Sequence, residues 1–184
     1  MAVMFCDIAG FSTLMGADEQ GTMNLLEAYY AVTDPCVPSR RGKVLKRIGD
    51  GHMVWFASAF DALFCAVQLQ KRLAKSRVKP ARRIQVRIGI NAGDVIVGKD
   101  NDLYGTVVNI AKRLESAASP GGLCVSENAR LSLSSSEREA FVFQDAGLLD
   151  LKGSPAPMQA WHVHAPVKRR SGRTKLSNRE ASGS

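Results

Sequence analysis

"GKVLKRIGDGHMVWF", residues 42–56, places two apolar runs on either side of a Gly-Asp-Gly turn. Strand-forming residues flanking such a tripeptide predict a β-hairpin. Within it Lys46 and Asp50 lie four positions apart. An extended strand rises about 3.3 Å per residue, so these opposite charges do not meet along the strand. Taken alone, the stretch is a hairpin with a solvated lysine and a turn aspartate. The rest of the chain gives both charges more to do.

Upstream of the hairpin, "AVMFCD" (2–7) is a short apolar strand, "DIAGFS" turns, and "DEQGTMNLLEAYYAV" (18–32) has helical apolar spacing behind an acidic first turn. Downstream, "AFDALFCAVQLQKRLAK" (59–75) carries Phe60, Leu63, Phe64 and Val67 on one helical stripe. "RIQVRIGI" (83–90) alternates as a half-buried strand, "NAGD" turns, and "VIVG" is expected to return beside it. "GTVVNIAKRLESA" (105–117) is helical, and "PGG" precedes the strand "LCVS". A short helix (127–134) and two closing strands, "FVFQDA" and "MQAWHVH", complete the order. The first six elements read β-α-β-β-α-β. This predicts an α+β fold with a ferredoxin-like core, helices on one face of an antiparallel sheet, and additional C-terminal strands.

Composition narrows the functional classes. The 184 residues are 45% apolar and 23% charged, as in a soluble globular domain. No apolar run approaches the roughly 18 residues of a membrane span, and no basic segment precedes "AVMFCD" as a signal peptide requires. A cytoplasmic location is expected, either as a free domain or as the catalytic part of a longer chain. Cys6, Cys36, Cys65 and Cys124 are scattered and form no CxxC pair, so buried free thiols are expected. Of the net charge of +8, the last twenty residues contribute +5, six Lys/Arg against one Glu. The chain therefore divides into a folded domain, 1–166, and a basic tail, 167–184, expected to be disordered. A nucleic-acid binder would cluster basic residues and stacking aromatics on its folded body, and the body shows no such pattern.

Two carboxylates have placements suited to chemistry. Asp7 ends the first strand and Asp50 sits in the hairpin turn. In a split β-α-β-β-α-β sheet these elements are commonly neighbours, so both could reach one sheet end. Two hard oxygen ligands that leave room for water and phosphate suit Mg²⁺, and a two-metal arrangement serves phosphoryl-type transfer. A capping role for Asp7 alone remains the plainer alternative. Asn109 and Arg113, four apart on a helix, share a face, with Val108, Ile110 and Leu114 on the buried side. An amide beside a guanidinium is a donor array suited to a ribose oxygen and a phosphate.

Five segments then carry a resemblance: "MFCDIAGFSTLMG" (4–16), "VLKRIGDGHMVWF" (44–56), "RIGINAGDVIVG" (87–98), "DLYGTVVNIAKRLESAASPGGLCVS" (102–126) and "LLDLKG" (148–153). In order and spacing they resemble class III nucleotidyl cyclase catalytic domains, bacterial adenylate cyclases among them, over residues 2–164. The resemblance implies that Asp7, Asp50 and the backbone carbonyl of Ile8 hold two divalent ions, Mg²⁺ or Mn²⁺. It implies that the turn at Phe11 and Ser12 holds the triphosphate and that Lys152 meets the terminal phosphates. Lys46 and Asp102 match the base-recognising pair, Asn109 would orient the ribose, and Arg113 would stabilise charge on the α-phosphate. Active sites of this family lie between two domains arranged head to tail, which implies a homodimer. Lys46 and Asp50 would then serve different sites, which answers why they need not meet.

The base preference also has an argument of its own. Adenine offers an acceptor at N1 and a donor at N6, which a donating lysine and an accepting aspartate complement. Guanine presents the reverse pattern and would leave polar groups unpaired. ATP is therefore the expected substrate and cyclic AMP with pyrophosphate the expected products. Guanylate cyclase activity and a catalytically silent nucleotide-binding module are the alternatives. Three residues stand apart from the pattern: Thr106, where the family usually has Asn or Asp; Lys112, which adds a charge beside Arg113 or else faces solvent; and His52, read as structural.

Overall fold

The computed structural model describes residues 1–75, 84–98, 103–150 and 156–165. Asp102, Lys152 and the tail 167–184 lie outside the described residues. A seven-stranded sheet organises the chain. Strand β1 (Ala2–Ile8) is central and antiparallel to β3 (Gly51–Phe56) on one side and to β4 (Val86–Ala92) on the other. Strand β2 (Lys43–Ile48) closes the hairpin with β3. A bulge between Val44 and Lys46 shifts its register. Beyond β4 the sheet continues through β7 (Leu123–Ser126), β9 (Met158–His164) and β8 (Val142–Leu149). The β4–β7 pair is parallel, so the sheet is mixed rather than wholly antiparallel. The ferredoxin-like core with added C-terminal strands is present.

Alternation along β1 divides the core in two. Ala2, Met4, Cys6 and Ile8 face one way, against α2 (Glu19–Cys36) and α3 (Ala59–Leu73). Val3 and Phe5 face the other way, among Met53, Trp55 and Ala111 of α4 (Thr106–Ala117). Helices thus cover both faces, where one face was expected. The amphipathic pattern of 105–117 defines which side of α4 is buried but does not say which face of the sheet receives it. Cover on both sides also explains β4, which is buried along nearly its whole length rather than alternating.

Local chemistry fixes the helix starts. The Asp18 side chain accepts from the Gly21 N–H at 2.9 Å and caps α2, and Ser58 accepts from the Asp61 N–H at 3.1 Å and caps α3. The predicted turn after Asp7 is shorter than expected, because α1 (Phe11–Ala17) begins within it and takes Phe11 and Ser12. Its start needs Gly10, whose φ of 73° is left-handed. The expected return of "VIVG" beside β4 does not occur. Instead β5 (Ile96–Val97) pairs with β6 (Leu103–Tyr104) in a separate two-stranded sheet, because β4 already has β1 and β7 on its two edges. The expected helix at 127–134 ends early, as α5 (Glu127–Leu131), and a second short helix, α6 (Ser135–Arg138), follows it. Ser134 begins the second with a reciprocal Ser–Glu137 cap.

Gly89 on β4 decides how closely α4 approaches. A Cβ there would lie 2.0 Å from the Glu115 nitrogen and 2.4 Å from the Ala111 carbonyl oxygen, both backbone atoms of α4. Only glycine lets the helix rest directly on the strand. That approach brings the inner side of α4 over the ends of β1 and β4, where Asp7 and Arg87 stand.

Candidate active site

Asp7 is the seventh residue of the chain and falls in the β1 register that faces α4. Its carboxylate receives a forked pair of hydrogen bonds from Arg87, its cross-strand partner on β4: Nε donates to Oδ1 at 3.1 Å and Nη2 to Oδ2 at 2.9 Å. Asp50 reaches the same end of the sheet from the β2–β3 turn. Its Oδ2 accepts the Ile8 backbone N–H at 2.7 Å, which ties the turn to the end of β1. Burial raises the Asp50 pKa, while the Ile8 hydrogen bond works in the opposite direction. Asp7, Ile8, Asp50 and Arg87, with Phe11 and Ser12 from the first turn of α1, line one open cleft of about 170 Å³.

The turn that carries Asp50 is anchored from α2. Tyr30 donates its hydroxyl to the Gly49 carbonyl at 2.7 Å. Arg47 bonds Asp34 at 2.5 Å and lies over the Tyr30 ring. His52 packs edge-on against both Tyr29 and Tyr30, and its Nδ1 lies 2.9 Å from the Tyr29 hydroxyl. Burial, and secondarily Arg47, push the His52 pKa down to about 4. A fully buried neutral imidazole is a structural group, as its sequence setting suggested.

The described residues of the predicted site fall into two sets. Asp7, Ile8, Phe11, Ser12 and Asp50 share the cleft. Asn109 and Arg113 do not line it; Asn109 is exposed and Arg113 half-buried on α4, with Ile110 and Leu114 on the buried side as expected. Lys46 is exposed on β2. Lys112 is exposed, yet its ammonium group is turned toward the site. It reaches inward, pairs with Glu115, and stands 3.7 Å from Asp7 Oδ2. Glu115 itself is fully buried and 3.4 Å from Arg87. Its pKa is raised, first by burial and then by its contact with Asp7. Sequence reading missed Arg87 and Glu115. The alternation of β4 and the i, i+4 spacing of Ala111 and Glu115 on the inner side of α4 were the available signals.

Among the described residues no three acidic, histidine or cysteine side chains converge. What converges is two carboxylates beside a backbone peptide in a cleft open to solvent. That hard-oxygen set is too small for a closed cage and suits ions that keep water or phosphate as further ligands, as Mg²⁺ and Mn²⁺ do. The four cysteines are free and buried and offer no competing soft site.

Comparison with known proteins agrees with this geometry. The family model described as "Adenylate and Guanylate cyclase catalytic domain" matches residues 1–165. A Rhizobium meliloti (strain 1021) protein, provisionally named adenylate cyclase 3, is 37% identical over 163 residues, covering 87% of this chain and 27% of that protein. The chain thus spans about a quarter of that relative's length. The crystal structure of an adenylate/guanylate cyclase/hydrolase from Silicibacter pomeroyi superposes with a TM-score of 0.79 at 33% identity, covering 90% of this chain and 96% of that one. The catalytic core of a rhodopsin-guanylyl cyclase with converted specificity, in complex with ATPαS, superposes with a TM-score of 0.78 at 25% identity, covering 89% and 94%. A mixed sheet ending in two aspartates, helices on both faces and a family match over nearly all of the described chain lead to one conclusion: the protein belongs to the adenylate and guanylate cyclase catalytic domain family.

Proposed function

We propose that this domain is an adenylate cyclase, converting ATP to 3′,5′-cyclic AMP and pyrophosphate at two sites shared across a homodimer. The observation that carries the reading is the division of the site residues. Asp7, Ile8 and Asp50 converge on one cleft, whereas Asn109 and Arg113 sit on α4 outside it. Each chain then holds two incomplete halves, and head-to-tail pairing completes both. Large apolar side chains exposed on the β2–β3 turn and on β5–β6, Ile48 at 71% and Ile96 at 68%, favour a partner over these elements.

The residues divide the work as follows. Asp7, Asp50 and the Ile8 carbonyl would hold two divalent ions, which when bound supply Lewis-acid activation of the 3′-hydroxyl and charge neutralisation at the leaving pyrophosphate. The first turn of α1, at Phe11 and Ser12, holds the triphosphate, and Lys152 meets its terminal phosphates. From the partner, Asn109 orients the ribose so that its 3′-oxygen lines up with the α-phosphorus. Arg113 donates to the α-phosphate oxygens as charge builds on them. The 3′-oxygen forms the new P–O bond as the bond to pyrophosphate breaks, and the hydroxyl proton leaves to water. Lys46 and Asp102 read adenine by donor–acceptor complementarity.

The rhodopsin-guanylyl cyclase core of converted specificity, which holds ATPαS, supports the view that this fold accommodates either purine. Specificity is then set by a few pocket residues, here a lysine and an aspartate. The test is product identification: purified protein with ATP or GTP and Mg²⁺ or Mn²⁺. Cyclic AMP from ATP, in excess over cyclic GMP from GTP, is the expected result. Cyclic GMP as the main product overturns the base assignment, and no cyclic product from either nucleotide favours a silent binding module.

A further inference from the structure

Asp7 is contacted by two cations, Arg87 and Lys112, and both also approach the buried Glu115. Arg87 forks onto the Asp7 carboxylate and lies 3.4 Å from Glu115, whose side chain has no exposure. A carboxylate buried on the inner side of α4 needs positive charge near it, and Arg87 supplies part of it without a hydrogen bond. Lys112 is different. Half of its side chain is exposed, so water is available to its ammonium on the outer side of α4. Instead it turns inward to Glu115, passes above the Phe5 ring, and comes within 3.7 Å of the same Asp7 Oδ2 that Arg87 Nη2 addresses. The carboxylate read above as a metal ligand is therefore already flanked by two positive charges.

We propose that Lys112 is a positioning residue for Asp7: with Arg87 it holds the carboxylate at the mouth of the cleft before metal arrives, and its charge weakens divalent-ion binding there. The inference rests on the reading of Asp7 as a metal ligand. A cation near that ligand opposes an incoming divalent ion by direct repulsion and by competing for Asp7 Oδ2. Because the lysine is half-exposed, solvent screens it, and the effect belongs in the range of exposed ion pairs, about two- to fivefold in affinity.

The test needs no turnover. The protein is titrated with Mn²⁺ alone, through the millimolar range, and free Mn²⁺ is read by electron paramagnetic resonance. Lys112→Gln should bind Mn²⁺ about two- to fivefold more tightly than the unaltered chain, while Lys112→Arg, which keeps the charge, should not tighten. A merely structural lysine would lower the melting temperature on substitution and leave Mn²⁺ affinity unchanged or weaker, and that result overturns the proposal. Should Lys112→Gln fold poorly, Lys112→Met, which keeps the stem beside Phe5 and removes the charge, must show the same tightening. Asp7→Asn separates the two levels of argument. Mn²⁺ binding that survives Asp7→Asn, or is absent from the unaltered chain, removes the metal-site reading and this inference with it. Binding that requires Asp7 but ignores Lys112 removes the inference alone.

Discussion

On the proposed homodimer with shared sites, mixing two inactive variants should restore about a quarter of full activity. The perturbations are Asp50→Asn and Arg113→Ala. Asparagine is the better choice at position 50, since its side-chain oxygen can still accept the Ile8 N–H now bonded at 2.7 Å. Alanine would leave that donor unpaired, at about 1–3 kcal/mol, and confuse loss of metal binding with loss of fold. Arg113 is half-buried on α4. It does not line the cleft that contains Asp50, so the two changes alter different surfaces of the chain. Each variant homodimer carries its defect in both sites and should be inactive. In a mixed dimer the two-fold axis places both defects in one site and neither in the other. Random 1:1 mixing makes about half of the dimers mixed, each with one of two sites intact, hence about a quarter of full activity. The assay is cyclic AMP production by each variant alone and after co-refolding, with subunit exchange followed by differently tagged chains. Exchange without recovered activity would refute the assignment of Asp50 and Arg113 to a shared site.

Three further outcomes follow from the structure. Lys46→Glu with Asp102→Gly should lower the ATP/GTP ratio of kcat/KM, and an unchanged ratio assigns base selection to other residues. Gly89→Ala must push α4 off β4, since its Cβ would meet helix backbone at 2.0 Å; the loss should be about 1–3 kcal/mol or more by urea unfolding, and a neutral substitution contradicts the close packing described. His52 has its pKa lowered by burial from 6.5 to about 4, so between those values the unfolded chain binds the extra proton. Its contribution is complete above pH 6.5 and is lost as pH falls toward 4. Urea unfolding from pH 7 to 4 should therefore show a steeper loss for the natural chain than for His52→Gln, by about 1.4 kcal/mol per pH unit at most.

What the sequence made legible was whatever depends on residues near one another in the chain. The hairpin at 42–56 could be read because apolar alternation, two glycines and an aspartate occur within fifteen residues. The pairing of "VIVG" could not, because β4 acquires β7 as its second edge from residues 123–126, and no local pattern in 86–98 records that competition. The site divides along the same line. Asp7, Asp50, Asn109 and Arg113 each occur inside a recognisable local motif. Arg87, Lys112 and Glu115 become meaningful only once β1, β4 and α4 are stacked. Their arrangement depends on one residue without a side chain. Gly89 lets α4 sit so close that Glu115 is buried against the sheet, and a buried carboxylate must have cations near it. Those cations come from β4 and from α4 itself, and each also contacts Asp7. A backbone approach made possible by glycine thus fixes the charges around a candidate metal ligand eighty-two residues away in sequence. Such a coupling belongs to the packed tertiary structure and to no single segment of the chain.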